Sequence, residues 1–158
     1  VLRLWEGLGY YRRARQLHAA AKKIVAEHGG VYPETYDEVL ALPGIGRYTA
    51  GAILSIGRDI RLPILEANTI RVLSRLLAYE GDVYSTTGQQ TLWRFAEELL
   101  PGTEVGFFNQ SLMELGATVC TPRDPACLLC PVMSLCPTRK AGLQASIPSP
   151  KKKKQYEE

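Results

Sequence analysis

The sequence predicts an all-α protein, and three observations carry that reading. Apolar residues recur at three- and four-residue spacing along most of the chain. No stretch alternates apolar with polar residues over a convincing strand length. Short clusters containing Gly and Pro separate the periodic segments, as tight connections between packed helices do.

The elements follow in order. Residues 12–27 place Leu17, Ala20, Ala21, Ile24 and Val25 on one stripe, and Gly29-Gly30 ends that helix. Thr35-Tyr36-Asp37-Glu38 has the form of a capping box and starts a short helix through Val39 and Leu40. Leu42-Pro43-Gly44-Ile45-Gly46 forces a tight turn; the next helix runs from about Arg47 to Ile56, closed by Gly57. After Pro63, Asn68 is a favoured N-cap for a helix with Ile70, Leu73, Leu76 and Leu77 on one face. Two more periodic segments cover about 87–99 and 106–118, the second running directly into Cys120. After Cys136 the composition turns to Pro, Ser and a lysine run, and residues 140–158 read as a linker or tail.

The bulk numbers bound the possibilities. A chain of 158 residues with 46% hydrophobic content suffices for one cored domain or two small lobes. No run approaches the roughly 18 apolar residues of a membrane span, so no membrane association is expected. The formal charge is +3, but residues 151–158 supply +2 of it and residues 1–150 carry only +1. Affinity for nucleic acid would therefore come from local patches rather than from a global field.

Four cysteines, Cys120, Cys127, Cys130 and Cys136, are the only thiols, spaced C-x6-C-x2-C-x5-C. Such grouping points to one ligand set for a soft metal, since packing cysteines would be scattered. A [4Fe–4S] cluster takes four thiolates, and so does structural zinc. Zinc more often recruits two close pairs, and only Cys127 and Cys130 form one here. Disulfides or unliganded thiols are the remaining alternatives, although clustered thiols in an otherwise cysteine-free chain favour a reducing compartment.

The turn at 42–46 has chemistry of its own. Gly44 and Gly46 permit backbone conformations barred to other residues and clear side chains from the surface. Backbone N–H groups at the start of the following helix can then face an anion, assisted by the helix dipole. A DNA phosphate suits that position, and such a contact grips backbone without reading sequence. A tight helix–helix corner with glycines chosen for packing is the alternative.

The string Leu42-Pro43-Gly44-Ile45-Gly46-Arg47-Tyr48-Thr49-Ala50 resembles the helix–hairpin–helix of DNA-repair glycosylases. The cysteine loop resembles the [4Fe–4S] motif of the endonuclease III superfamily. Trp5-Glu6-Gly7-Leu8-Gly9-Tyr10-Tyr11 with Arg13-Ala14-Arg15 looks like the matching segment of adenine-DNA glycosylases of the MutY type, and Pro63-Ile64-Leu65-Glu66-Ala67-Asn68 resembles that family's catalytic turn. The matches run in order from residue 1 to about 139. They imply a helix–hairpin–helix DNA glycosylase fold. Residues 1–62 would be a partial six-helix barrel with the hairpin at about 35–56, 63–139 a helical lobe closing on a [4Fe–4S] loop, and 140–158 a linker.

The resemblance also implies a function. Adenine mispaired with 8-oxoguanine or guanine in double-stranded DNA would be extruded and its N-glycosidic bond hydrolysed. Glu66 stands where the family has an aspartate and is the candidate carboxylate for stabilising the oxocarbenium-like state. Its extra methylene could displace the carboxylate by roughly 1 Å, and a plain surface charge at a helix start is the alternative. Asn68 would cap its helix or hold the carboxylate or a phosphate. Tyr48 occupies the position of the Schiff-base lysine of bifunctional relatives; a phenol cannot form that adduct, so a monofunctional enzyme is expected.

Tyr10 resembles a tyrosine that wedges into DNA beside the oxidised guanine. Leu42, Gly44, Ile45, Gly46, Arg47 and Tyr48 make up the expected DNA-contacting hairpin. Arg12, Arg13, Arg15 and Arg47 are candidate phosphate partners or solvated charges, Trp93 and Phe95 are expected in the core, and His18 and His28 have no ligand geometry. The family's general-acid glutamate is expected upstream of residue 1, and its C-terminal recognition domain beyond the linker. A monomer acting in the cytoplasm, nucleoid-associated in a bacterium, is the expected context.

Overall fold

The structure, a computed structural model, describes residues 1–150; the lysine run at 151–154 and the rest of the expected tail lie outside the described residues. Seven α-helices and three short 3-10 turns make up the described chain, with no strand among the described residues. The helices are α1 (Tyr11–His28), α2 (Tyr36–Leu40), α3 (Arg47–Arg58), α4 (Ala67–Leu77), α5 (Thr86–Glu98), α6 (Val105–Thr118) and α7 (Pro137–Ala141).

Local signals account for most boundaries. Gly29 ends α1 in the left-handed conformation, φ 60°, with its N–H on the Ile24 carbonyl. Thr35 and Glu38 form the expected reciprocal box at α2. Ser85 starts α5 by accepting the Gly88 N–H.

Two boundaries differ from the sequence expectation. Helix α3 runs through Gly57 to Arg58, and Asp59 closes it in the left-handed region at φ 54°. The Asp59 carboxylate then accepts the N–H groups of Glu104 and Gly106, joining the end of α3 to the start of α6. Helix α4 is capped by Glu66, with Asn68 already inside its first turn. A side chain reaching two residues forward can do what the local preference for Asn assigned to position 68.

Two apolar clusters organise the body. The larger joins Leu65, Val72, Leu73, Val83, Leu92, Ala96 and Leu112 from α4, α5, α6 and the segments between them. The smaller packs Val39, Ala50 and Leu54 of the hairpin helices against Tyr32, Tyr36, Ile45 and Leu62. Each fully buried leucine contributes about 2 kcal/mol by leaving water. Helix α6 bridges the clusters because Gly106 and Gly116 let it come close: a Cβ on Gly106 would lie 2.6 Å from the Ser55 carbonyl oxygen, and one on Gly116 would lie 2.9 Å from Asn68 Cβ. Asn109 reinforces the crossing by donating to Ser55 Oγ and the Leu62 carbonyl.

The stripe expected on α1 is only partly covered. Ala14 and Ala20 are buried, whereas Leu17 and Val25 are 58% and 67% exposed, since no described element packs over that side. The expected linker also needs correction over its described part. Ile147 is 2% exposed, and its carbonyl and that of Gln144 accept from the Arg75 guanidinium. Residues 142–147 are thus held against α4 by a buried cation, which composition alone does not reveal.

Candidate active site

The hairpin between α2 and α3 is a tight turn whose two glycines, Gly44 and Gly46, are exposed. Leu42 is 2% exposed and its carbonyl accepts the Ile45 N–H, so this residue, expected on the DNA face, anchors the turn from beneath. Gly44 has φ 80°, and a Cβ there would strike Gln16 Cβ at 2.7 Å. Both facts demand glycine. Gly46 is different: its φ is ordinary, and a Cβ would meet nothing within 4 Å. The first turn of α3 carries no side-chain cap, in contrast to α2, α4 and α5. Its leading amides therefore lack the side-chain partner that those three helices have, as do those of α1 and α7, and an anion can supply one.

Arg47 opens α3 and lies over the Trp93 ring, 3.9 Å from its centroid. Expected as a phosphate partner, it makes a cation–π contact with α5. Tyr48, half-buried in the same turn, points its hydroxyl at Met113 Sδ, 4.0 Å away. Burial, and next the charge of Glu66, raise the Tyr48 phenol above its ordinary value. Gly51 of α3 comes so close to the segment leading into Glu66 that a Cβ there would lie 2.5 Å from the Pro63 carbonyl oxygen, so the hairpin helix runs beside that segment.

Glu66 is half-buried in extended backbone at the mouth of α4. Its Oε1 accepts the Asn68 and Thr69 N–H groups at 2.9 and 3.1 Å. Asn68 does not touch the carboxylate with its side chain. Its Oδ1 instead accepts from Arg71, whose guanidinium also donates to the carbonyls of Gly116 and Cys120. Burial lowers the Arg71 pKa from its ordinary value, while the charges of Cys120 and Glu66 oppose that shift; arginine stays cationic regardless.

Sequence reasoning did not single out Thr69, Arg71 or Arg75. The signal available was two arginines four apart amid Ile70, Val72, Leu73 and Leu76, a spacing that keeps both on a largely apolar face. Buried arginines there must find acceptors.

Tyr10 stands clear of the body. It is 81% exposed, with φ 47°, between the turn at Gly7–Gly9 and the start of α1. Trp5 steadies that turn by donating Nε1–H to the Gly9 carbonyl, and Tyr11 accepts the Gly7 N–H on its hydroxyl. The ring of Tyr10 is therefore presented to solvent and is no part of a core. Arg12, Arg13 and Arg15 are exposed beside it.

The four cysteines are free thiols, each half-buried, and all line one pocket with Val72, Arg75, Leu76, Val119, Met133 and Gln144. The pocket encloses about 420 Å³ of space between atoms, part of it open to solvent. Arg75 donates to Cys120 Sγ at 3.3 Å, and Cys136 Sγ lies 3.6 Å from the Arg75 carbonyl oxygen. Burial raises the Cys130 thiol, and the three other cysteines push the same way. Among the described residues, no three His, Cys, Asp or Glu side chains form a group that could hold a metal ion.

A glycine hairpin leading into a helix without a side-chain cap, a carboxylate at the next helix mouth and a four-thiol pocket are the features of the helix–hairpin–helix class of fold. The comparisons agree. The helix-hairpin-helix motif family matches residues 27–56. A solved structure of a thermostable thymine-DNA glycosylase superposes with TM-score 0.72 at 32% identity, covering 82% of this chain and 59% of that one. A trapped endonuclease III–DNA covalent intermediate gives TM-score 0.69 at 23% identity, covering 87% and 62%, and shares the fold. The adenine DNA glycosylase of Mus musculus is 50% identical over 137 residues, 86% of this chain and 27% of the mouse protein. Over most of its length the chain is homologous to adenine DNA glycosylases, and it spans about a quarter of the length of that curated relative.

Proposed function

We propose that this chain carries the hairpin and catalytic carboxylate of a glycosylase that removes adenine opposite 8-oxoguanine or guanine. The observation that carries the reading is the close approach of the hairpin helix, at Gly51, to the Pro63 carbonyl in the segment that ends at Glu66, the cap of α4. A strand whose phosphate sits on the amides of α3 would pass the mouth of α4, where an extruded nucleoside can meet the carboxylate. Loss of the base leaves positive charge on the sugar, and a fixed carboxylate stabilises that charge without reorganising. Water completes the hydrolysis. Tyr48 has no amine to trap the sugar aldehyde, so the enzyme is monofunctional. Tyr10 would stack beside the opposing oxidised base.

Four free thiols line one pocket, and two side-chain N–H groups, from Arg75 and Gln144, approach their sulfurs, which supports a [4Fe–4S] cluster as the group they would hold. Cys120, Cys127, Cys130 and Cys136 would hold the cluster, which would supply folding free energy and a charged anchor for the loop.

The test is single-turnover excision by the full-length protein from duplexes carrying A:8-oxoguanine, A:G and G:T, with borohydride trapping alongside. Free adenine from the first two and no trapped adduct is the expected result. Thymine release from G:T would favour a thymine-DNA glycosylase, the activity named for the structural neighbour at 32% identity. Binding without base release would make the chain a DNA-binding remnant.

A further inference from the structure

The chain closes two helices with the same pair of residue types, and in opposite order. At α2, threonine caps and glutamate sits three positions on, the common arrangement. At α4, Glu66 caps and Thr69 takes the third position. Thr69 is fully buried, and its hydroxyl touches only Glu66, accepting the Glu66 N–H at 2.8 Å and lying 3.2 Å from the Glu66 carbonyl oxygen. Helix closure alone does not require the reversal, because the order used at α2 would satisfy the same amides.

What the reversal changes is where the carboxylate stands. In the usual order it would occupy the third helical position, here fully buried; reversed, it stands half-buried at the helix mouth. Its two oxygens are also made unequal. Oε1 is held by the Asn68 and Thr69 amides, while Oε2 has no hydrogen-bond partner among the described residues. Folding the side chain back onto its own helix absorbs the reach of the extra methylene.

We infer that Thr69 is a positioning residue for the reaction: its hydroxyl locks the Glu66 backbone so that one carboxylate oxygen caps α4 and the other is presented to the substrate. This rests on the reading of Glu66 as the catalytic carboxylate.

The test compares Thr69→Val, which keeps shape and removes the hydroxyl, with Thr69→Ser, which keeps the hydroxyl. Thr69→Val should slow single-turnover adenine excision by about ten-fold or more, with the DNA dissociation constant unchanged within about two-fold, and Thr69→Ser should restore the rate. The amides of Asn68 and Thr69 should exchange hydrogen about five-fold or more faster in Thr69→Val, by loss of the Glu66 cap, and Thr69→Ser should again restore them. An unchanged excision rate in Thr69→Val, or a Thr69→Ser variant as slow as Thr69→Val, overturns the inference. If the wild-type chain excises no adenine, the functional reading fails instead, and amide exchange alone decides whether Thr69 holds Glu66: no change in Thr69→Val then overturns it.

Discussion

Gly44 and Gly46 sit two residues apart and answer to different constraints. Gly44 needs its positive φ and has Gln16 against it, so Gly44→Ala should destabilise the fold by about 1–3 kcal/mol, read from denaturant midpoints. Gly46→Ala meets open space and an ordinary φ, so stability should change by less than about 0.5 kcal/mol. If the hairpin grips phosphate, the added methyl stands in the way, and DNA affinity should fall by about ten-fold without a stability change. Tyr48 makes a pH prediction at the same scale. Its folded-state pKa lies above 10.0, through burial first and the Glu66 charge second. Ionising it thus costs more in the folded than in the unfolded state, and its contribution, intact below 10.0, is lost as pH rises through the raised value. Tyr48→Phe should flatten the alkaline decline in urea midpoint, leaving the part due to Tyr32, which burial also raises.

Helix ends and their clamps set the next scale. The Thr35 hydroxyl, followed by the Thr35 backbone N–H, holds Glu38 below its ordinary 4.5. A depressed carboxylate contributes stability above 4.5 that is lost as pH falls through the folded value, so Thr35→Ala should weaken acid dependence in that window, measured by thermal melts at stepped pH. Arg75 acts across elements. It is 3% exposed, and its guanidinium donates to the carbonyls of Thr121, Pro122, Gln144 and Ile147 as well as to Cys120 Sγ. Arg75→Leu leaves those carbonyls without a donor, and a loss of about 3 kcal/mol is expected, with faster amide exchange concentrated in residues 120–147.

The two apolar clusters give the whole molecule two regions of unequal support. The hairpin cluster of Val39, Ala50 and Leu54 lies apart from the thiol pocket, whereas α4 contributes Val72, Arg75 and Leu76 to the pocket wall and Val72 and Leu73 to the larger core. If the thiols hold a cluster, stripping the metal should abolish absorbance at about 400 nm and raise amide exchange first in residues 63–147, with the hairpin following only at higher denaturant. The described residues hold no helix long and apolar enough to cross a membrane. With the body carrying only +1 through residue 150, DNA binding should depend on few phosphate contacts, giving a log Kd against log salt slope no steeper than about 4.

Much of the fold was legible because its signals are local. The box at Thr35, the stop at Gly29, the glycine turn at 44–46 and the cysteine spacing each lie within a few residues, so neighbours along the chain suffice to read them. The caps at Glu66 and Asp59 were not, since the first uses a side chain outside the favoured N-cap set and the second serves a helix 45 residues further on. Burial of Leu42 and the contact of Arg47 with Trp93 of α5 were not legible for a related reason: both depend on segments distant in the chain.

By itself, then, the amino-acid order determined the helical class, the hairpin and the clustering of four thiols, because periodicity and close spacing act over one or two turns. Only tertiary packing decided that the hairpin helix runs beside the segment leading into Glu66, that Asn68 serves Arg71, and that residues 142–147 belong to the body. Those outcomes depend on which buried polar groups find partners from distant segments, and that choice is made in three dimensions.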